Sequence, residues 1–188
     1  MRVLVLAGSP RKGGNTDVLA DEFLRGAKDA GAKVEKIYLD DLRIRPLGLV
    51  GDSPARRVDV RAGDDFLKAF RRFIAADIVC FATPVYVQGM TAQMKCFIDR
   101  LSAYKWRRAY RRKVSDKGYA VITAFGAPGE GKWVTAPIKA GVENLGGMYI
   151  GALSIVAYKK GEAKKNPRAL AAAYALGAKA VRRMKKGR

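Results

Sequence analysis

The chain has 188 residues, 49% of them hydrophobic, enough for one α/β domain with a sizeable core. It has no histidine, which excludes His-based triads, His proton shuttles and His metal ligands. Its two cysteines, Cys80 and Cys96, are far from C-x-x-C spacing, so both are expected as buried thiols rather than as ligands of a zinc or iron–sulfur site.

The formal net charge of +20 is localised. Residues 159–188 carry eleven basic side chains and one acid, and residues 104–117 carry seven and one. Two readings are open for these stretches: a site for polyanions such as nucleic acid, an acidic membrane surface or acidic proteins, or a solvated surface.

In chain order, residues 3–7 form an apolar run suited to a buried parallel strand. That run is too short for a signal-peptide core, and nothing approaches the ~18 apolar residues of a membrane span. A soluble, cytoplasmic protein is expected. Residues 8–15 are a Gly-rich loop, residues 16–30 have helical spacing, and residues 34–39 read as a second strand. Residues 40–63 are irregular. Asp64 is placed as the N-cap of a helix carrying Phe66, Phe70, Phe73 and Ile74.

Residues 78–82 predict a third strand, 83–89 a loop, and 90–101 a helix. After the basic stretch come a fourth strand at 119–125, a Gly/Pro loop at 126–131, a helix over 133–145 and a fifth strand at 148–158. A basic last helix spans about 167–187, opening at Pro167, with Leu170, Tyr174, Ala178, Val181 and Met184 as its apolar stripe. Lys179, Arg182, Arg183 and Lys186 form a basic face beside it. Strand and helix alternate throughout, so residues 1–188 read as a single α/β domain: a parallel sheet with helices on both faces. Ligands of such sheets bind beyond the carboxyl ends of the strands, which singles out the loops after strands one, three and four.

The first of these loops is Gly8-Ser9-Pro10-Arg11-Lys12-Gly13-Gly14-Asn15-Thr16. Its glycines allow close approach of an anion, and the following helix presents free N–H groups and the positive end of its dipole. Ser9, Asn15 and Thr16 can donate hydrogen bonds, and Arg11 or Lys12 adds charge. The loop is neither a Walker loop nor a G-x-G-x-x-G fingerprint. On these residues alone a phosphate cradle and a plain strand-to-helix turn capped by Thr16 both remain open.

The same loop resembles the phosphate loop of the NAD(P)H-dependent FMN reductase family, and most closely that of its iron–sulfur flavoprotein branch. Ala76-Asp77-Ile78-Val79-Cys80-Phe81-Ala82-Thr83-Pro84-Val85-Tyr86 resembles that branch's third strand and flavin loop. Ala92-Gln93-Met94-Lys95-Cys96-Phe97-Ile98-Asp99-Arg100 resembles the helix that follows. The resemblance covers residues 1 to about 155.

It implies a flavodoxin-like fold with a five-stranded parallel sheet of order 2-1-3-4-5, bound FMN, NAD(P)H as electron donor, and a dimer or tetramer. It places Ser9, Arg11, Lys12, Gly14, Asn15 and Thr16 at the FMN phosphate. Thr83, Pro84, Val85, Tyr86, Val87 and Gln88 are expected along one side of the isoalloxazine ring, and Phe125, Gly126 and Ala127 along the other. Gly129 and Gly131 are expected to give their loop the freedom to admit a second substrate. No side chain is assigned as a catalytic acid or base, because hydride transfer to a flavin needs none.

One departure is plain. The branch carries closely spaced cysteines between the second strand and second helix, where this chain has Leu47 and Val50 and no cysteine. A flavin-only oxidoreductase acting on a small acceptor (a quinone, free flavin or nitro compound) is therefore expected. Two other functions stay open: an electron carrier between protein partners, and a nucleic-acid-associated protein in which Tyr104, Trp106 and Tyr110 stack on bases.

Overall fold

The computed structural model describes residues 1–50, 58–59, 63–104 and 108–187. Five strands form one parallel sheet: β1 (Arg2–Ala7), β2 (Lys33–Tyr38), β5 (Ile78–Ala82), β6 (Gly118–Phe125) and β7 (Met148–Val156). Their order is β2-β1-β5-β6-β7, which is the expected 2-1-3-4-5 of a flavodoxin-like sheet. The chain reverses direction across the sheet between β1 and β5, and the ligand crevice of such folds opens at that switch point. A two-residue antiparallel pair, β3 (Leu49–Val50) with β4 (Val58–Asp59), lies in the stretch expected to be irregular.

Alternation along β1 divides the core. Val3 and Val5 face α1 (Asn15–Asp29) and α6 (Pro167–Lys186), while Leu4 and Leu6 face α2 (Phe66–Ala75) and α3 (Ala92–Leu101). The second face also takes α5 (Lys132–Asn144) through Val134, Ile138 and Val142. Pro137 lies inside α5 rather than at its start.

The last helix begins at Pro167 as predicted, capped by the Asn166 side chain, which accepts from the Ala169 N–H at 3.0 Å. Its buried face is shifted from the expected stripe. Ala178, Val181 and Met184 of that stripe are buried, joined by Ala169, Ala173, Leu176, Gly177 and Ala180, whereas Leu170 and Tyr174 are half-buried, Tyr174 with its hydroxyl on Asp29 at 3.0 Å. The cause is a close crossing of α6 on α1. A Cβ on Gly26 would overlap the Tyr174 carbonyl, and a Cβ on Gly177 would overlap the Phe23 carbonyl. The two backbones touch, and the large side chains are displaced to the flanks.

The basic segment holds an unpredicted helix, α4 (Arg108–Ser115). Tyr104 and Tyr110 turn inward onto Phe70, with ring centroids 4.7 and 5.3 Å away. These two rings are therefore unavailable for stacking on bases, and Trp106 lies outside the described residues. Lys117 does not belong to the surface patch either. It is 4% exposed, and its ammonium donates to the carbonyls of Ile74 and Ala76 at the end of α2. Asp64 precedes α2 by one residue more than expected. It accepts from the Phe66 N–H at 3.1 Å and forms a buried ion pair with Arg100.

Candidate functional site

A cleft opens at the carboxyl ends of β1, β5 and β6, at the switch point of the sheet. Its enclosed part is about 180 Å³. Pockets that swallow a whole ligand run from ~300 to 1,000 Å³. The cleft is a small, half-open groove rather than a closed chamber.

The inner end is the start of α1. Gly14 is the N-cap, so the cap is not Thr16, which is buried in the first turn. The backbone N–H groups of Asn15, Thr16 and Asp17 have no partner within the helix, as geometry requires of a first turn. The loop holds its shape by its own bonds. Gly14 N–H donates to Arg11 O at 3.0 Å, Arg11 N–H to Ser9 Oγ at 3.1 Å, and Gly13 N–H to the Asp17 carboxylate at 2.7 Å. Since Ser9 Oγ is the acceptor there, its own hydrogen is free to donate into the cleft.

Asp17 was not singled out from the sequence. Burial works to raise its pKa, but bonds from Lys36, Gly13 and Tyr38 overcome that and hold the carboxyl below its ordinary value. Lys36 sits 2.7 Å away and neutralises it, so this carboxylate shapes the loop without opposing an incoming anion.

The mouth is made by two strand ends. Thr83 N–H and Val85 N–H continue the ladder onto Ile122 O and Ala124 O, both at 3.0 Å, and the chain then turns back on itself at Tyr86–Gly89. The turn places Val87 at φ 47° and Gln88 at φ 58°. That left-handed conformation is uncommon for any side chain but Gly or Asn, and it is an outlier for a β-branched one. Opposite lie Ala124, Phe125 and Gly126.

Of the residues picked out from the sequence, Ser9, Arg11, Gly14, Asn15, Thr16, Pro84, Val85, Tyr86, Phe125 and Gly126 line this one cleft. Five others do not. Lys12 reaches away to Asp41 at 2.8 Å and lies over the Tyr38 ring. Thr83 is fully buried, and its hydroxyl accepts from the Thr91 N–H at 3.1 Å. Val87 points wholly into solvent, Gln88 shares the exposed turn, and Ala127 donates its N–H to Glu130 at 3.1 Å. Gly131 is not a source of loop freedom: a Cβ there would meet the Phe125 ring at 2.6 Å and Ser154 Oγ at 2.9 Å.

The Asn15 carboxamide is also committed elsewhere. It donates to Lys159 O at 3.0 Å and Ala157 O at 3.4 Å, and it accepts from the Ala163 N–H at 3.0 Å. Only its backbone N–H is left for the cleft. Ala157, Tyr158 and Lys160, which follow the fifth sheet strand, complete the lining and were missed from the sequence.

The donors and cations here suit a phosphomonoester, and the open mouth between Tyr86 and Phe125 suits a flat aromatic ring, so FMN fits the residues present. Among the described residues, no group of three or more His, Cys, Asp or Glu side chains is placed to hold a metal ion, and no helix is long and apolar enough to cross a membrane.

Residues 1–161 match the family described as NADPH-dependent FMN reductase. An iron-sulfur flavoprotein of Archaeoglobus fulgidus is 33% identical over 130 residues, 69% of this chain and 58% of that protein. A Bacillus subtilis protein, provisionally named NAD(P)H-dependent FMN-containing oxidoreductase YwqN, is 38% identical over 102 residues, 54% of this chain and 52% of its own. The matches thus span little more than half the length of these curated relatives. Among solved structures, the Trp repressor binding protein of Bacillus subtilis superposes with a TM-score of 0.71 at 25% identity, covering 94% of this chain and 98% of that one.

Proposed function

The chain belongs to the NADPH-dependent FMN reductase family, and from that premise we propose an FMN-dependent oxidoreductase that takes electrons from NAD(P)H and passes them to a small acceptor such as a quinone, free flavin or nitro compound. The observation that carries this reading is the single cleft joining the free N–H groups of α1 to the strand ends at Tyr86 and Phe125. When bound, FMN supplies a two-electron centre able to accept hydride from a nicotinamide. The residues do the rest. Ser9, Arg11, Thr16 and the backbone N–H of Asn15 bind the phosphate, with Gly14 lining the cleft beside them; Pro84, Val85 and Tyr86 flank one side of the ring, and Phe125 and Gly126 the other.

Replacing Arg11 and Thr16 together by Ala removes a charge-assisted hydrogen bond and a donor. FMN affinity is expected to fall by roughly a hundredfold or more. Retention of full affinity by that double variant refutes the site. Steady NAD(P)H oxidation by the purified protein with a quinone, against single-turnover reduction only, separates an enzyme from a carrier between proteins.

Three companion readings belong to the same proposal. Residues 1–188 act as one domain. The chain works with flavin alone, since Leu47 and Val50 stand about where cluster cysteines are expected; stoichiometric iron and acid-labile sulfide in anaerobic preparations would refute this. It assembles as a homo-oligomer, which light scattering at micromolar concentration tests.

A further inference from the structure

The first part of the connection between β7 and α6, residues 157–163, lies beside the phosphate loop although it follows an edge strand. Three fastenings hold it there. The Asn15 carboxamide ties down both its ends through Ala157 O, Lys159 O and Ala163 N–H. The Glu162 carboxylate accepts from the N–H groups of Tyr158 and Lys159 at 2.8 and 2.9 Å, closing the turn on itself. Gly161, at φ 75°, packs beside the loop at ordinary van der Waals range, a Cβ on it lying 3.7 Å from Gly13 O. A side chain there would be strained by the backbone, while its contact with the loop would be an ordinary one.

The result is that Lys160 reaches the same cleft as Ser9 and Arg11, and among the described residues its ammonium has no carboxylate partner. A cation with no counter-ion, on a segment bolted to an anion-binding helix start, is arranged for an anion. We infer that residues 157–163 are a fourth wall of the flavin site, in which Lys160 is a second cation for the terminal phosphate of FMN and Asn15 is the positioning residue that sets it there. This rests on the FMN reading above. It also gives Asn15 two jobs on one residue: its backbone faces the ligand while its side chain fixes the strap.

The test compares FMN with riboflavin, which has the same ring and no phosphate, by fluorescence titration of the flavin-stripped full chain. Lys160→Ala is expected to weaken FMN roughly tenfold, the loss of one charge-assisted contact, and to leave riboflavin unchanged. Its FMN affinity should also fall less steeply with salt than that of the wild type. Lys160→Arg should restore FMN binding to within about threefold. Asn15→Ala should lower the preference for FMN over riboflavin in the same direction, whereas damage to the fold alone would weaken both flavins together. Should Asn15→Ala not fold, the two Lys160 variants decide the matter.

If Lys160→Ala binds FMN as the wild type does while Arg11→Ala does not, the strap is overturned and the flavin reading stands. If the wild type takes up no FMN, both fall.

Discussion

On one face of the sheet α1 and α6 cross at Gly26 and Gly177, among alanines, aliphatic side chains and the ring of Phe23; on the other, Phe66, Phe70, Phe73, Phe97, Tyr104, Tyr110 and Tyr119 fill the space with rings. The first face is set where backbone meets backbone at the two glycines, with Leu19, Phe23 and Val181 packed beside the crossing. The second is set by volume, and rings can slide and tilt against one another. The phosphate loop runs straight into α1, so the loop inherits the stiffer of the two packings. A binding site that must present three N–H groups at fixed spacing gains from that neighbour more than it would from an adaptable one.

The sharpest way to break this comparison is to add one methyl to the stiff face. Gly177→Ala forces a Cβ into the Phe23 carbonyl, and the helices must part. A loss of about 3 kcal/mol or more is expected, at the upper end for overpacking, read from the urea midpoint. Phe70→Leu removes several atoms from the adaptable face and should cost less, about 1–2 kcal/mol. If the order of the two losses were reversed, the contrast drawn here would be wrong.

A smaller effect is tied to pH and sits on the aromatic face. Lys117 lies over the Phe73 ring, 5.6 Å from its centroid, and burial pulls its pKa from 10.5 down to about 8 against the opposing pull of Asp77 and Asp116. Between those two values the unfolded chain holds the proton that the folded chain has lost, so stability rises with pH across that window. Urea midpoints of the wild type should therefore gain on those of Lys117→Met between pH about 7.5 and about 10. Parallel profiles for the two proteins would show that Lys117 keeps an ordinary pKa.

The smallest effect concerns the outside of α6. Arg168, Lys179, Arg182, Arg183 and Lys186 are exposed along one stripe, with exposed Ala171, Ala172 and Ala175 between them and no acidic residue in the helix. Changing Lys179, Arg182, Arg183 and Lys186 to Glu should abolish retention on duplex DNA at low salt, because phosphate contacts act through counterion release. The urea midpoint should barely move, by the equivalent of about 0.5 kcal/mol or less per site. A wild-type protein that does not bind DNA at low ionic strength would reduce the stripe to a solvated surface.

Every strand of the main sheet was legible in the sequence, within two residues at each end, because buried parallel strands are written as short apolar runs between glycines and charges. The two loops nearest the switch point were legible for the same reason. What failed was whatever depends on which elements meet. Gly26 and Gly177 look like ordinary helix glycines until two helices cross. Tyr110 and Val114 are four residues apart on α4, an inward stripe obscured by the arginines around it. Lys160 sits in a polar loop after an edge strand, where the general rule for these sheets directs no attention. Asn15 lines the cleft, but its carboxamide is bonded to Ala157, Lys159 and Ala163, which its place in the loop does not reveal.

The three Asn15 side-chain bonds join residues 142, 144 and 148 positions apart, so the loop after β1 is braced by a segment that leaves the ribosome long after it. A nascent chain emerging with α1 already formed still lacks the residues that brace it, and α6, whose glycine α1 must receive, follows later still. Removal of α6 would then be no mere trimming of a charged segment, because it would take away the helix against which α1, and with it the inner end of the cleft, is packed.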